Sequence, residues 1–442
     1  MGEIKQGSLS EGTVLKGMLG GRLKVKKYLA EGGQGEVYKV EYGNTDKALK
    51  WYKKSVIEKM GDSADKFYDN LKENVMRGTP SKEFLWPEDI TEWVDGTFGY
   101  IMDLRPDEYH DISEFLLPKT TGIKFPSFRV ATDAAMHIVS AFRILHNKGY
   151  SYQDLNDGNF FINPDNGKVL ICDNDNVAPD GTITGIVGKP RYIAPEVVRG
   201  ETMPNAETDR FSMGVILYML YMVNHPLEGK RFQNTTTSSD QEKLYGEYPV
   251  FMWDPEDDSN APDPEMNINS ISVWPELPDY IKELFYATFS KKSMREGGGR
   301  PAEIKWLKAL TRFRSEIVSC ECGDGVFISN GASGKCSGCG HTINIPFKLT
   351  LGEYELPAKT GTRIYKCQVK IGCNADIALD PIAEVVESKD GQRYGIRNRS
   401  EKRWDAVSSK GEAKKVGIND VIPLKDGISF TAEDATVKIC KN

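Results

Sequence analysis

The 442-residue chain has no long apolar run. Its longest, around Gly214 to Val223, is about half of the roughly 20 residues a membrane-spanning helix needs, so no span is expected. The N-terminus also lacks the apolar segment of a secretory signal. Met1-Gly2 is followed by Gln6 where a myristoylation signal wants Ser or Thr, which excludes that anchor. Excess positive charge is missing too. A net charge of −7 argues against a nucleic-acid binder held by overall phosphate attraction. Cysteine is sparse outside one place: of eight, four fall between Cys320 and Cys339 and the rest are scattered. That pattern suits metal binding in a reducing compartment better than a disulfide framework. No repeat and no low-complexity tract is present, and the expected location is the cytoplasm.

What remains is an ordinary globular composition in a chain too long for one core, so two or three domains are expected. Leu23 to Leu29, Glu36 to Tyr42, Ala48 to Tyr52 and Phe98 to Leu104 read as strands, and Ala64 to Met76 as a helix. From Ser127 to Asn147 the apolar spacing is helical, and a largely helical region continues to about Arg314. Within it, Asn234 to Pro264 is polar, Pro-rich and acidic, which reads as a surface insert. Strand-like runs return beyond Phe347, with turns at Asp390-Gly391 and Asp426-Gly427.

The chemistry-bearing residues lie in order along this frame. Asp154 and Asn159 stand five residues apart, and Asp173 follows fourteen residues after Asn159. Phosphoryl transfer needs such a set: a carboxylate to accept the proton of the attacking hydroxyl, and an amide oxygen with a second carboxylate to hold the metal bridging the ATP phosphates. Upstream, Gly32 and Gly35 would let backbone approach a triphosphate where side chains would collide. A glycine pair also marks ordinary hairpins, and a lone lysine on a strand is usually solvated. The spacing of Lys50 behind the glycine cluster is what singles it out.

Together these residues resemble the protein-kinase family. Ala30-Glu31-Gly32-Gly33-Gln34-Gly35-Glu36-Val37 is similar to its glycine-rich loop, with Ala30 for the first Gly, and Lys50 follows Ala48-Leu49 where kinases keep the phosphate-pairing lysine. Asp154, Leu155 and Asn159 match the catalytic loop, Gly188 to Glu196 the end of an activation segment, and Asp209 the buried aspartate that follows. Arg300 matches the late arginine that pairs with Glu196. The resemblance implies an α+β, bilobal kinase-like fold that uses ATP and Mg (or Mn). Lys50 and Asp154 would be catalytic, and Asn159 and Asp173 the Mg ligands. Gly32, Gly33, Gly35, Val37, Ala48, Lys50, Met102 (the gatekeeper), Asp103 and Arg105 would bind nucleotide. Glu73 is the chosen helix partner of Lys50, with Asp69 or Asn70 as alternatives.

Departures from the family pattern bear on mechanism. Gln153 replaces the Arg that binds a phosphorylated activation loop, so phosphorylation of Thr182 or Thr184 should not be needed by that route. Tyr152 and Asn174 replace packing residues. Asn156 replaces a lysine that contacts the transferred phosphate, and Lys189 is the candidate to supply the missing cation; a surface lysine is the alternative. Asp175 replaces a Gly and would add a second carboxylate near the metal.

Cys320-Glu321-Cys322 and Cys336-Ser337-Gly338-Cys339 read as a zinc ribbon, four thiolates closing a structural tetrahedral site; free buried cysteines or His341 in place of one ligand are the alternatives. Residues from about 347 resemble a degenerate forkhead-associated domain, on Tyr394-Gly395-Ile396-Arg397-Asn398 and Val421 to Phe430. Arg397, Arg399, Lys402 and Arg403 would bind an acidic or phosphorylated segment, or be solvated surface charge. The expected organisation is a kinase domain over 1–315 (N-lobe about 18–104, C-lobe about 105–315), a zinc ribbon over 316–346 and a β-sandwich over 347–442. The whole resembles bacterial kinases of eukaryotic type with a zinc ribbon and a forkhead-like tail. That implies a serine/threonine kinase acting on a protein substrate, in company with a von Willebrand A-type protein and a metal-dependent phosphatase. The competing class is a nucleotide-binding pseudokinase scaffold.

Overall fold

Alternation of buried and exposed side chains, as in Leu23 and Val25 against Lys24, builds the first sheet. In the computed structural model, which describes residues 7–182, 188–329, 332–389, 391 and 393–442, this sheet has six antiparallel strands. In spatial order they are Val14–Lys16, Arg22–Glu31, Gly35–Tyr42, Thr45–Tyr52, Gly99–Met102 and Asp89–Ile90. Thr184, Asp390 and Met1, Gly2 and Gln6 lie outside the described residues. The helix expected from Ala64 runs Ser63–Arg77 and packs Phe67 and Leu71 beneath the sheet. A preceding helix, Lys54–Met60, escapes sequence reasoning because Lys53 supplies no side-chain cap to announce it.

The second lobe is built on the helix Phe128–Asn147. Ser127 caps it by accepting from the Val130 amide, and Ala131, Ala134, Ala135, Ile138, Phe142 and Leu145 bury one face. The helix Ala206–Met222, opened by an Asn205 capping box, is buried along almost all of its length. Among the described residues no helix is long and apolar enough to cross a membrane. The Asn234 to Pro264 stretch corrects the expectation of a surface insert. Leu244, Tyr245, Val250, Phe251 and Met252 are buried, and Asn260, fully buried, donates to the carbonyls of Leu227 and Val250. Its apolar residues are too irregularly spaced to show a period, so composition alone misled.

Two hairpins follow, Ile317–Ser319 with Gly325–Phe327 and Ser333–Lys335 with Thr342–Asn344. Beyond them a six-stranded and a four-stranded sheet enclose one core containing Leu349, Ile382, Ile396, Trp404, Phe430 and Val437. The Asp426-Gly427 turn does not close a hairpin. It joins Val421–Pro423 in one sheet to Ser429–Ala432 in the other, with Gly427 at φ +77°. This region is not a free appendage. Tyr365, Cys367, Cys373 and Ala378 sit in the same apolar cluster as Phe142, Leu310 and Phe313 of the helical lobe.

Candidate active site between the lobes

The loop carrying Asp154 is held from below. The Tyr152 amide donates to Asp209 Oδ2 at 2.6 Å and the Gln153 amide to Oδ1 at 3.4 Å. These bonds hold Gln153 at φ +68°, a left-handed conformation unusual for a side chain of that size. His146 bridges Asp209 (3.1 Å) and Glu303 (2.9 Å). Burial opposes its charge, but the two carboxylates prevail and push the imidazole up to about 9. The loop therefore rests on a buried charged network that sequence reasoning recognised only at Asp209. Tyr152 is buried and bonds the Cys172 carbonyl; Asn174, also buried, donates to the carbonyls of Leu85 and Ile171. Gln153 donates to the Thr182 carbonyl at 2.8 Å, so it ties the loop to the activation segment without a phosphate.

Asp154 stands half-buried at the cleft. Burial and the neighbouring Asp173 push its carboxyl up to about 6, opposed by Lys189 and the amide of Asn156. Asn159 uses its amide nitrogen on the Asp154 carbonyl at 2.8 Å, leaving its oxygen as the atom a cation would take. Asp173, in a left-handed conformation at φ +54°, is 38% exposed at its side chain. An amide oxygen and a carboxylate open to solvent form a hard-donor pair, with room for the waters that Mg keeps. Lys189 reaches Asn156 Oδ1 at 3.3 Å, beside Asp154. Gly188 allows this: a Cβ there would lie 3.1 Å from Asp154 Oδ1 and 2.6 Å from Ile193.

Lys50 is buried, and its ammonium lies 2.8 Å from Asp175 Oδ2, 3.3 Å from Asp173 Oδ1 and 3.2 Å from Gln34 Oε1. Burial opposes its charge, but the two aspartates hold its pKa above the ordinary lysine value. Two expectations are corrected here. Glu73 does not pair with Lys50: it bonds Arg77 one turn along its own helix at 2.7 Å and is 59% exposed. Asp175 is not open to the cleft as Asp173 is: it is fully buried, and its bonds go to Lys50 and Tyr52. Of the helix positions considered, Asn70 faces inward, but its amide donates to the Val177 carbonyl.

The strand register brings Val37 opposite Lys50 and Ala48 opposite Met102, and these apolar side chains share one cluster. Gly35 has a structural reason to be glycine, since a Cβ would lie 2.5 Å from the Trp51 carbonyl oxygen of the adjacent strand. A Cβ on Gly33 would meet nothing, and one on Gly32 would only graze the Gly35 carbonyl at 3.9 Å. Asp103 pairs with Lys47 at 2.6 Å, and the Arg105 guanidinium stacks on Phe161 at 4.4 Å from the ring centre. Glu196 and Arg300 form a buried two-point pair at 2.7 and 2.9 Å.

Away from the cleft, the Sγ atoms of Cys320, Cys322, Cys336 and Cys339 all lie within 4.8 Å of one another, with separations of 3.6 and 3.5 Å for Cys320–Cys339 and Cys322–Cys336. A tetrahedral zinc site with Zn–S near 2.3 Å requires sulfur separations of about 3.8 Å. The four thiolates fit the ion. His341 offers its backbone carbonyl to the Cys336 amide.

A family model described as protein kinase domain matches residues 23–293. Among curated relatives, the maternal embryonic leucine zipper kinase of Xenopus laevis is 36% identical over 87 residues, 19% of this chain and 13% of that protein. The CBL-interacting serine/threonine-protein kinase 5 of Arabidopsis thaliana is 28% identical over 133 residues, 28% of this chain and 30% of that protein. The chain thus spans under a third of the length of either relative. The solved Mycobacterium tuberculosis PknI kinase domain aligns at 16% identity with a TM-score of 0.46, covering 69% of this chain and 98% of that one.

Proposed function

The chain belongs to the protein kinase domain family, and we propose that it transfers the γ-phosphate of ATP, with Mg or Mn, to Ser or Thr hydroxyls of a protein substrate, itself included. The observation that carries this reading is the convergence of Asp154, Asn159, Asp173 and Lys50 on one cleft. Asp154 would accept the hydroxyl proton, and Lys50 would pair with the α- and β-phosphates. Bound at Asn159 and Asp173, the metal would offset charge on the phosphates. The test is incubation with γ-labelled ATP and magnesium, followed by phosphosite mapping. Label on Ser or Thr that chelation prevents is expected. Nucleotide binding with no label would favour the scaffold alternative.

Lys189 supports a finer proposal, that its ammonium stands in for the lysine absent at Asn156. Lys189→Met is expected to lower kcat roughly tenfold or more while KM for ATP holds, as for loss of one charge-stabilising donor. Unchanged turnover would return Lys189 to the surface.

The hairpin region is proposed to hold a structural zinc on Cys320, Cys322, Cys336 and Cys339. Native mass spectrometry should find a single zinc, lost from Cys336→Ser. Four thiols that react freely in the native protein, with no metal bound, would refute the site.

For the C-terminal sheets the proposal is an acidic or phosphorylated peptide ligand, in keeping with the forkhead-associated likeness. A surface cavity of about 500 Å³ brings Lys366, Lys370, Arg399 and Lys402 together, with Asp380, Glu401 and Glu433 in the same lining offsetting part of their charge. Arg397 and Arg403 do not line that cavity, and Arg399 and Lys402 also pair with Glu384 and Glu433. The von Willebrand A-type and phosphatase companions rest on resemblance alone, and co-purification is their test.

A further inference from the structure

We propose that Asp175, in place of a helix glutamate, is the residue that positions Lys50, so that the helix Ser63–Arg77 is not the switch that assembles the nucleotide site. The proposal deepens the phosphotransfer reading and rests on it. Asp175 is fully buried, and both of its bonds converge on one oxygen: Lys50 Nζ at 2.8 Å and Tyr52 Oη at 2.5 Å. Its other oxygen has no hydrogen-bond partner among the described residues, so Lys50 and Tyr52 are what hold the carboxylate in place. Both partners lie on the strand Thr45–Tyr52, and Asp175 lies at the base of the activation segment. No atom of this ion pair belongs to the helix.

The helix is fixed by other means. Asn70 and Asn74 both donate to the Val177 carbonyl, at 3.0 and 2.8 Å, and Trp86 Nε1 donates to the Asn74 carbonyl at 2.9 Å. Asn174 ties the same segment to Leu85 and Ile171. The segment 171–177 therefore grips the helix through neutral amides and Lys50 through a charge. An ammonium taken out of water needs paired carboxylates; Asp173, 38% exposed, lies 3.3 Å away, and Asp175, fully buried, lies 2.8 Å away, so losing Asp175 removes the nearer and drier of the two. Glu73, bonded to Arg77 at the surface, does not meet that need. The residue in the position the family gives to glycine does.

The test measures the affinity of magnesium-ATP and of adenosine for the full-length protein, beside turnover. Adenosine lacks the phosphates Lys50 would hold, so it reports on the fold of the site without reporting on the lysine. Asp175→Asn is expected to weaken ATP binding roughly tenfold or more, leaving adenosine affinity within about twofold and Glu73→Ala indistinguishable from the parent. Equal losses for ATP and adenosine, or unchanged ATP affinity, would overturn the proposal. If Asp175→Asn does not fold, Glu73→Ala decides: a tenfold loss of ATP affinity there overturns it, and none supports it. A parent protein that binds ATP but transfers nothing would fail the kinase reading alone, since the affinities remain measurable.

Discussion

Asp154→Asn is expected to lose phosphate transfer by about 10²-fold or more while retaining ATP affinity, because an amide cannot take up the hydroxyl proton. The side chain is close to isosteric, so the cleft keeps its shape. The pH profile gives a second signature. Burial and Asp173 raise the Asp154 carboxyl to about 6, with Lys189 and Asn156 pulling the other way. Only the ionised form accepts a proton, so kcat/KM should climb as pH rises through about 6 and level off above it. A divalent cation on Asp173 would cancel the repulsion that contributes to this shift, so saturating magnesium should move the limb to lower pH. Asp154→Asn protein prepared in parallel also controls for contamination: equal label in both preparations would mean that a foreign kinase did the work. A profile flat from pH 5 to 8, by contrast, would remove Asp154 from the role of proton acceptor.

Ending the chain after Pro346 is expected to destabilise the kinase lobes severely, even though every residue of the cleft is kept. The C-terminal sheets send Tyr365, Cys367, Cys373 and Ala378 into the cluster formed by Phe142, Leu310 and Phe313. Around that contact, Arg129 donates to the Gly361 carbonyl at 2.8 Å, Ser315 to the Arg363 carbonyl at 3.1 Å, and Arg143 to the Cys373 carbonyl. Arg312 lies over the rings of Tyr280 and Tyr354. Truncation would expose the apolar faces of the helices Phe128–Asn147 and Glu303–Glu316 and strip buried donors of their acceptors. Each large side chain returned to water is worth roughly 1.5–3 kcal/mol, and each orphaned buried donor about 1–3 kcal/mol. Against a typical stability of about 5–15 kcal/mol, the sum is a large fraction of the whole. The melting temperature should fall by about 10 °C or more, or the truncated chain should be insoluble. A soluble 1–346 fragment melting within a few degrees of the parent would show that the shared core matters little.

Sequence spacing was enough to find four of the six N-lobe strands, the Ser63–Arg77 helix and the long Phe128–Asn147 helix, because periodic burial leaves its period in the residues; Val14–Lys16 and Asp89–Ile90 are too short to show one. Asp154, Asn159, Asp173 and Lys50 were legible for a different reason: their chemistry needs fixed residue types at fixed separations along the chain. The four cysteines were legible too, as close pairs.

What spacing could not decide was which charges meet across the fold. Glu73 sits on the correct helix, yet a turn of about 100° per residue swings it outward to Arg77, and the partner of Lys50 comes from 125 residues away. His146, Gly188 and the core contact at Tyr365 to Ala378 belong to the same class: each acts on residues remote in the chain, and no local pattern records it. The sequence by itself determined the kinase family and named the groups proposed to react, since both are written in short-range motifs. Only the tertiary structure decided who holds Lys50 and where the C-terminal sheets attach, because a buried charge takes the carboxylate that folding brings to it.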